Sequence, residues 1–134
     1  MASVHREIQI DASASQVWDA LRDVGALHTR LVPGFVTDCA FDGAARTVTF
    51  ANGLQATELI VDVDEKRMRV SWSAIGGRLS HHNASAQVIS TAGQSCKVLW
   101  IADLLPHELA PAIASMIEQG LAAMKQSQEA QNAA

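Results

Sequence analysis

Two cysteines in 134 residues, Cys39 and Cys96, with no CxxC spacing, are too few for a disulfide framework. They are expected to be reduced thiols with a structural role in an intracellular protein. No apolar run reaches the roughly 18 residues that a membrane-spanning helix needs, and the opening MASVHREIQI sets His5, Arg6 and Glu7 where a signal peptide requires an unbroken apolar stretch. A cytoplasmic location without integral membrane contact is the resulting expectation. Ten Lys and Arg against fourteen Asp and Glu give a net charge of -4, and no basic run exists to neutralise a row of phosphates. Nucleic acid and anionic membrane surfaces are thereby excluded as partners. Charged residues make up 18% of the chain, below the ~25% of an average domain, while 49% are hydrophobic. Either the core is large or apolar surface serves a purpose.

Several catalytic signatures are missing as well. The chain has no nucleophile elbow, P-loop or GxGxxG turn, which removes several enzyme classes. Gly76-Gly77 reads as a tight turn rather than a phosphate cradle, because no helix follows it. His81 and His82 are adjacent on a strand and so point to opposite faces, and no His or Cys lies at a supporting spacing. Neither a metal nor a cofactor is expected. His5, His28 and His107 stand alone and carry no signal.

A chain of this length is one domain, residues 1–134, long enough to bury a core or enclose a cavity without a covalent or metal staple. Val4 to Ile10 alternates as a strand, and the polar break Asp11-Ala12-Ser13 offers a cap to a following helix. Val17, Trp18 and Leu21 form a stripe that Leu27 and Leu31 continue beyond Gly25, which predicts two short helices with a bend. Pro33-Gly34 ends them. Turn signals at Asp42-Gly43, Asn52-Gly53, Asp64-Glu65-Lys66, Gly76-Gly77 and Ala92-Gly93-Gln94 then divide the chain into strands over 35–41, 46–51, 57–63, 67–75, 82–90 and 96–104. Short links between them imply antiparallel neighbours. After Pro106 the period changes. Leu109, Ile113, Met116, Ile117, Gly120, Leu121 and Met124 recur at three- and four-residue spacing, and Pro111 fits only in a first turn. A long helix is predicted to start between His107 and Ala112, with the tail 127–134 frayed. The fold class is therefore α+β: a seven-stranded antiparallel curved sheet, two short helices after the first strand, and a long C-terminal helix packed in the concave face.

Strand parity selects the inner face. Met68, Val70, Trp72 and Ala74 share one side of their strand; Cys96, Val98, Trp100, Ala102 and Leu104 share one side of the last; Val48 and Phe50 belong with them. Glu58 shares the parity of Ala56 and Ile60, which turns a carboxylate toward this apolar wall. Such a group suits a general base or an anchor for a polar part of a ligand, and a buried Glu satisfied by a neighbouring strand is the alternative. On the helix, Met116, Gly120 and Met124 offer either an adaptable lid or ordinary packing.

The order of elements, with IQIDASASQVWDALRD, RTVTFANG, TELIVDVDEKRMRVSWSAIGG and KVLWIADLL, resembles the helix-grip fold of the START and Bet v 1-like (SRPBCC) superfamily, in its polyketide cyclase/dehydrase-like branch. The middle of the chain also resembles the plant abscisic acid receptors. Asn52 to Ala56 stands at their gate loop, Thr57-Glu58 matches their Thr-Glu, and Ser73 to Gly77 matches their Ser-Ile-Ile-Gly-Gly. The gate loop is shorter here, its Pro is Gln55, the Tyr partner of Asn83 is Ala84, and Thr37 stands at the carboxylate-binding lysine. A hormone-receptor role is not carried over; a pocket is. The resemblance implies that Thr37, Glu58, Trp72, Ala74, His81, Ala84 and Trp100 face it. Phe50 of the apolar wall and Ile113, Ile117 and Leu121 of the helix complete the expected ligand-binding set.

The functional expectation is binding of a small hydrophobic or amphipathic molecule between sheet and helix. Its alternative is a cyclase- or dehydratase-like enzyme in which Glu58, with His81, moves protons on a substrate held by shape. A third reading, an interaction domain, would use apolar surface on the outer face, and the sequence specifies no protein partner.

Overall fold

A computed structural model describes residues 2–133. Seven strands, β1 (Ala2–Ile10), β2 (Val36–Phe41), β3 (Ala45–Phe50), β4 (Gln55–Asp64), β5 (Arg69–Ile75), β6 (His81–Ser90) and β7 (Cys96–Leu105), form one antiparallel sheet in the order β1-β7-β6-β5-β4-β3-β2. Strands β2 to β7 are a meander, and β1 closes against the last of them. Register shifts at Val36/Asp38 in β2 and at Ile60/Asp62 in β4 each add a residue to one side of the ladder, which bends the sheet into a trough. The long helix α2 (Ala110–Ala133) lies in that trough, entered through a 3-10 turn at His107–Leu109. Pro111 occupies its first turn, where no helical N–H is needed.

Between β1 and β2 the chain makes helix α1 (Ala14–Leu21) and a π-helical turn at Leu27–Leu31. The hydroxyl of Ser13 accepts from the Gln16 N–H at 3.2 Å and caps α1, while Val17, Trp18, Ala20 and Leu21 are buried. Gly25 permits the bend: a Cβ there would lie 2.9 Å from Cβ of Phe41. The Trp18 indole N–H donates to Glu65 at 2.7 Å and Arg22 pairs with the same carboxylate at 2.6 Å, which fastens α1 to the β4–β5 turn. These two bonds hold the Glu65 carboxyl below its ordinary range.

The concave face carries the core. Val70, Ala84, Ala86, Val88, Val98, Ala102 and Leu104 are buried from the sheet, and Ile117, Leu121 and Met124 meet them from α2. Each large apolar side chain buried there contributes roughly 1.5–3 kcal/mol relative to exposure. Gly120 lets the helix come close, since a Cβ at that position would sit 2.8 Å from the Trp100 ring.

The expected fraying from Ser127 is corrected. The helix continues through Ala133, and Gln128 is fully buried. Gln128 donates to the Arg30 carbonyl at 2.8 Å and receives Gln16 on its own carbonyl at 2.9 Å. Lys125 donates to the Gln9 carbonyl, and Asn132 to that of Asp11, so polar side chains tie the tail to the end of β1. An apolar period does not register such contacts, which is why the sequence pattern stops short. Residue 134 lies outside the described residues.

Candidate functional site

Between the curved sheet and α2 lies a cavity of about 390 Å³. Trp72 and Trp100 meet edge to face in its floor with ring centroids 5.7 Å apart, and Phe35 and Phe50 do the same at 5.5 Å in its side wall. Leu21, Leu27 and Leu31 close one end; Ile113, Met116 and Ile117 of α2 form the roof. Leu54, Arg78 and Leu79, from the loops after β3 and β5, and Gln55 at the start of β4 surround the mouth.

One polar row crosses this apolar chamber. Antiparallel register sets Arg46 opposite Glu58 and Glu58 opposite Ala74. Arg46 Nε donates to Glu58 Oε1 at 2.8 Å, Arg46 Nη1 donates to the Val24 carbonyl at 3.1 Å, and the guanidinium lies 5.3 Å from the centre of the Trp72 ring. Their side chains are only 4% and 12% exposed, so each charge depends on the other for compensation. The row ends at His82, whose Nδ1 accepts the Ala74 N–H at 2.9 Å.

Seven of the eleven expected site residues come together here: Phe50, Glu58, Trp72, Ala74, Trp100, Ile113 and Ile117 all line the cavity. Four do not. Thr37 is exposed on the edge strand and donates to the Thr49 carbonyl at 3.3 Å, because the shift after Val36 turns Val36 inward in its place. Ala84 is buried in the sheet beside Trp72, and Leu121 is buried one turn beyond Ile117, both without reaching the cavity. His81 is exposed and lines a separate groove with Ser73, Gly76 and Asn83. His81 and Ala84, three residues apart, cannot share a face of a regular strand; the ladder turns Ala84 inward and with it His82.

Of the readings open for Glu58, the structure has the buried carboxylate satisfied by a neighbouring strand, ion-paired with Arg46 of β3. Arg46, its partner, was legible as the neighbour of Val48 and Phe50 in parity, and His82 as that of Ala84, Ala86 and Val88. Both cysteines are buried and unbridged, and burial pushes both thiols up from their ordinary value, which makes them poor nucleophiles. Among the described residues no three His, Cys, Asp or Glu side chains cluster as metal ligands, and no helix is long and apolar enough to cross a membrane.

A curved antiparallel sheet gripping a C-terminal helix around an internal cavity defines the Bet v 1-like (SRPBCC) class. Residues 1–129 match the family described as polyketide cyclase / dehydrase and lipid transport, and the chain belongs to that family. Among solved structures it is similar to the protein XoxI from Bacillus cereus (19% identity, 96% of each chain covered, TM-score 0.83). It is similar also to a truncated norcoclaurine synthase from Thalictrum flavum (18% identity, 93% of this chain and 91% of that one, TM-score 0.74). A third is the di-domain ARO/CYC BexL of the BE-7585A biosynthetic pathway (21% identity, 96% of this chain and 47% of that one, TM-score 0.79). At these identities the likeness is one of fold. A search of curated proteins gave no match.

Proposed function

We propose that the protein binds a small hydrophobic or amphipathic molecule inside the cavity, with the polar part of the ligand turned to the Arg46–Glu58 pair. The observation that carries this reading is a chamber of about 390 Å³, walled by aromatic and aliphatic side chains around the Arg46–Glu58 ion pair. Its size falls within the roughly 300–1,000 Å³ of small-molecule sites. The family description, which joins cyclase and dehydrase chemistry to lipid transport, supports a hydrophobic ligand in general. The two buried thiols fit a reducing, cytoplasmic setting.

The cyclase- or dehydratase-like alternative uses Glu58 as the proton carrier. Its position inside the cavity favours that role; Arg46 occupies its Oε1, which leaves Oε2 as the oxygen that a base would offer. His81, exposed in the outer groove, gives no help.

Titration with 1-aminoanthracene, whose emission rises in apolar surroundings, tests the binding reading. Probe emission is expected to rise while emission from Trp72 and Trp100 falls by energy transfer. Ala86→Leu, which fills part of the chamber, is expected to weaken this binding. A probe that binds wild type and Ala86→Leu equally well is not in the cavity, and the reading then fails.

A further inference from the structure

His82 is the one buried imidazole among the described residues. The last ladder pair between β5 and β6 is Trp72 with Ala84, and where the next rung would fall the Ala74 N–H donates to the ring instead, at 2.9 Å from Nδ1. The Ser73 hydroxyl donates to the His82 carbonyl at 2.5 Å and fixes the backbone beneath it. A ring nitrogen that accepts must carry a lone pair, so the proton of the neutral imidazole sits on Nε2. Burial is the largest influence on this ring and pushes its pKa down; His81 acts in the same direction and Asp103 against it.

The Nε2 side is open. Among the described residues the sole sealed side-chain nitrogen or oxygen without a partner is Nδ1 of His28, and no described residue accepts from His82 Nε2. That N–H is therefore not sealed, and His82 is among the residues that line both the cavity and the outer groove.

We propose that His82 is a specificity-determining residue that presents a fixed, neutral Nε2–H donor to the ligand, selecting an apolar molecule that bears a neutral hydrogen-bond acceptor such as a ketone carbonyl. The proposal rests on the small-molecule reading above and narrows its ligand class. Selection comes from what the wrong ligand leaves unmade: a pure hydrocarbon that covers the N–H strands a buried donor. Arg46, within the chamber, is already engaged by Glu58 and Val24, and Arg78 is exposed at the mouth. With Nε2 protonated and Nδ1 occupied by Ala74, the ring has no lone pair with which to take a proton from the ligand. Near neutral pH it is a donor and not a base.

Nitrogen-15 NMR of the free protein at pH 7.5 reads the ring directly, and a neutral Nε2-protonated tautomer is expected. Fluorene and 9-fluorenone, which share a skeleton and differ by one carbonyl, then compete against 1-aminoanthracene. Fluorenone is expected to bind wild type about fivefold more tightly than fluorene, the value of one net hydrogen bond, and to move the Nε2 resonance. In His82→Asn the amide oxygen takes over the Ala74 N–H while nothing replaces Nε2, and the ratio is expected to fall to about one. An Nδ1-protonated or charged ring, equal affinities in wild type, or a ratio preserved in His82→Asn overturns the assignment. Equal binding of both probes leaves the cavity reading standing and removes His82 from it, whereas displacement by neither overturns both. Should His82→Asn not fold, the tautomer and the wild-type ratio decide.

Discussion

The two halves of α2 do opposite things with the same kind of surface. The first half, Ile113 to Ile117, spans the cavity, and its Ile113 and Met116 are only partly buried. The second half, Leu121 to Gln128, is packed against β1 and the π-helical turn, with Leu121, Met124 and Gln128 buried. Hydrogen bonds from Lys125, Gln128 and Asn132 to carbonyls of Gln9, Arg30 and Asp11 pin it in place. Met124 still borders the cavity, but the hydrogen bonds that fix the helix all lie in its second half. A chamber can be maintained because the element that roofs it is anchored elsewhere.

This contrast can be broken most severely at the cavity's ion pair. Arg46→Met leaves Glu58 enclosed without its partner and is expected to cost about 3–5 kcal/mol in denaturant unfolding, as buried pairs do when halved. Adding Glu58→Leu is expected to recover most of that loss. Comparable stability in the single and double variants would show the pair to be solvated after all. A truncation in each half of α2 sharpens the comparison directly. Leu121→Ala is expected to lose about 2–5 kcal/mol, and Ile113→Ala, which already borders empty space, under ~1 kcal/mol by the same assay. Gln128→Ala, which strands the Arg30 carbonyl and leaves the Gln16 amide only the main-chain carbonyl of residue 128, is expected to lose about 1–3 kcal/mol and to speed amide exchange after Leu121.

The smallest effect is one of pH. The His82 ring titrates lower when folded than when unfolded, so the folded state takes up its proton later as pH falls. Its stabilisation is complete above the unfolded value of ~6.5 and declines as pH drops through that value toward the lower folded one. His81 on the same strand, Asp103 on β7 and Arg78 in the preceding loop are the charged or titratable neighbours. His82→Asn is expected to flatten the melting temperature between pH 7 and pH 5 relative to wild type. Asp42, Asp64, Glu65 and Glu129, all held low by hydrogen bonds, remove stability only in the more acid range below ~4.

Much of the fold was legible because hairpin chemistry and helical period are local. Asn52-Gly53 and Asp42-Gly43 mark their turns, and Leu109 to Met124 announces the helix before any contact is known. The site was legible only as far as parity reaches. Parity turned Trp72, Trp100 and Glu58 inward, but a carboxylate's partner on the next strand depends on register. Once Thr49 faces Gln55 across the hairpin, Arg46 must face Glu58, and the cavity's charge is settled. Thr37 failed because a bulge shifts parity within its own strand, and His81 failed because alignment by motif overrode the alternation that favoured His82. The tail failed because Gln128 is polar and buried, a combination that no hydrophobic pattern reports.

The two thiols provide a pair of built-in clocks. Cys39 donates to the Val24 carbonyl that also receives Arg46, whereas Cys96 starts β7 at the far hairpin, opposite Ile10. Neither sulfur reacts while it is enclosed, so the rate at which each is alkylated counts the openings of its own neighbourhood. Cys39 would time the breathing of the chamber wall and Cys96 that of the sheet remote from it. Occupancy of the chamber would slow the first clock and leave the second running.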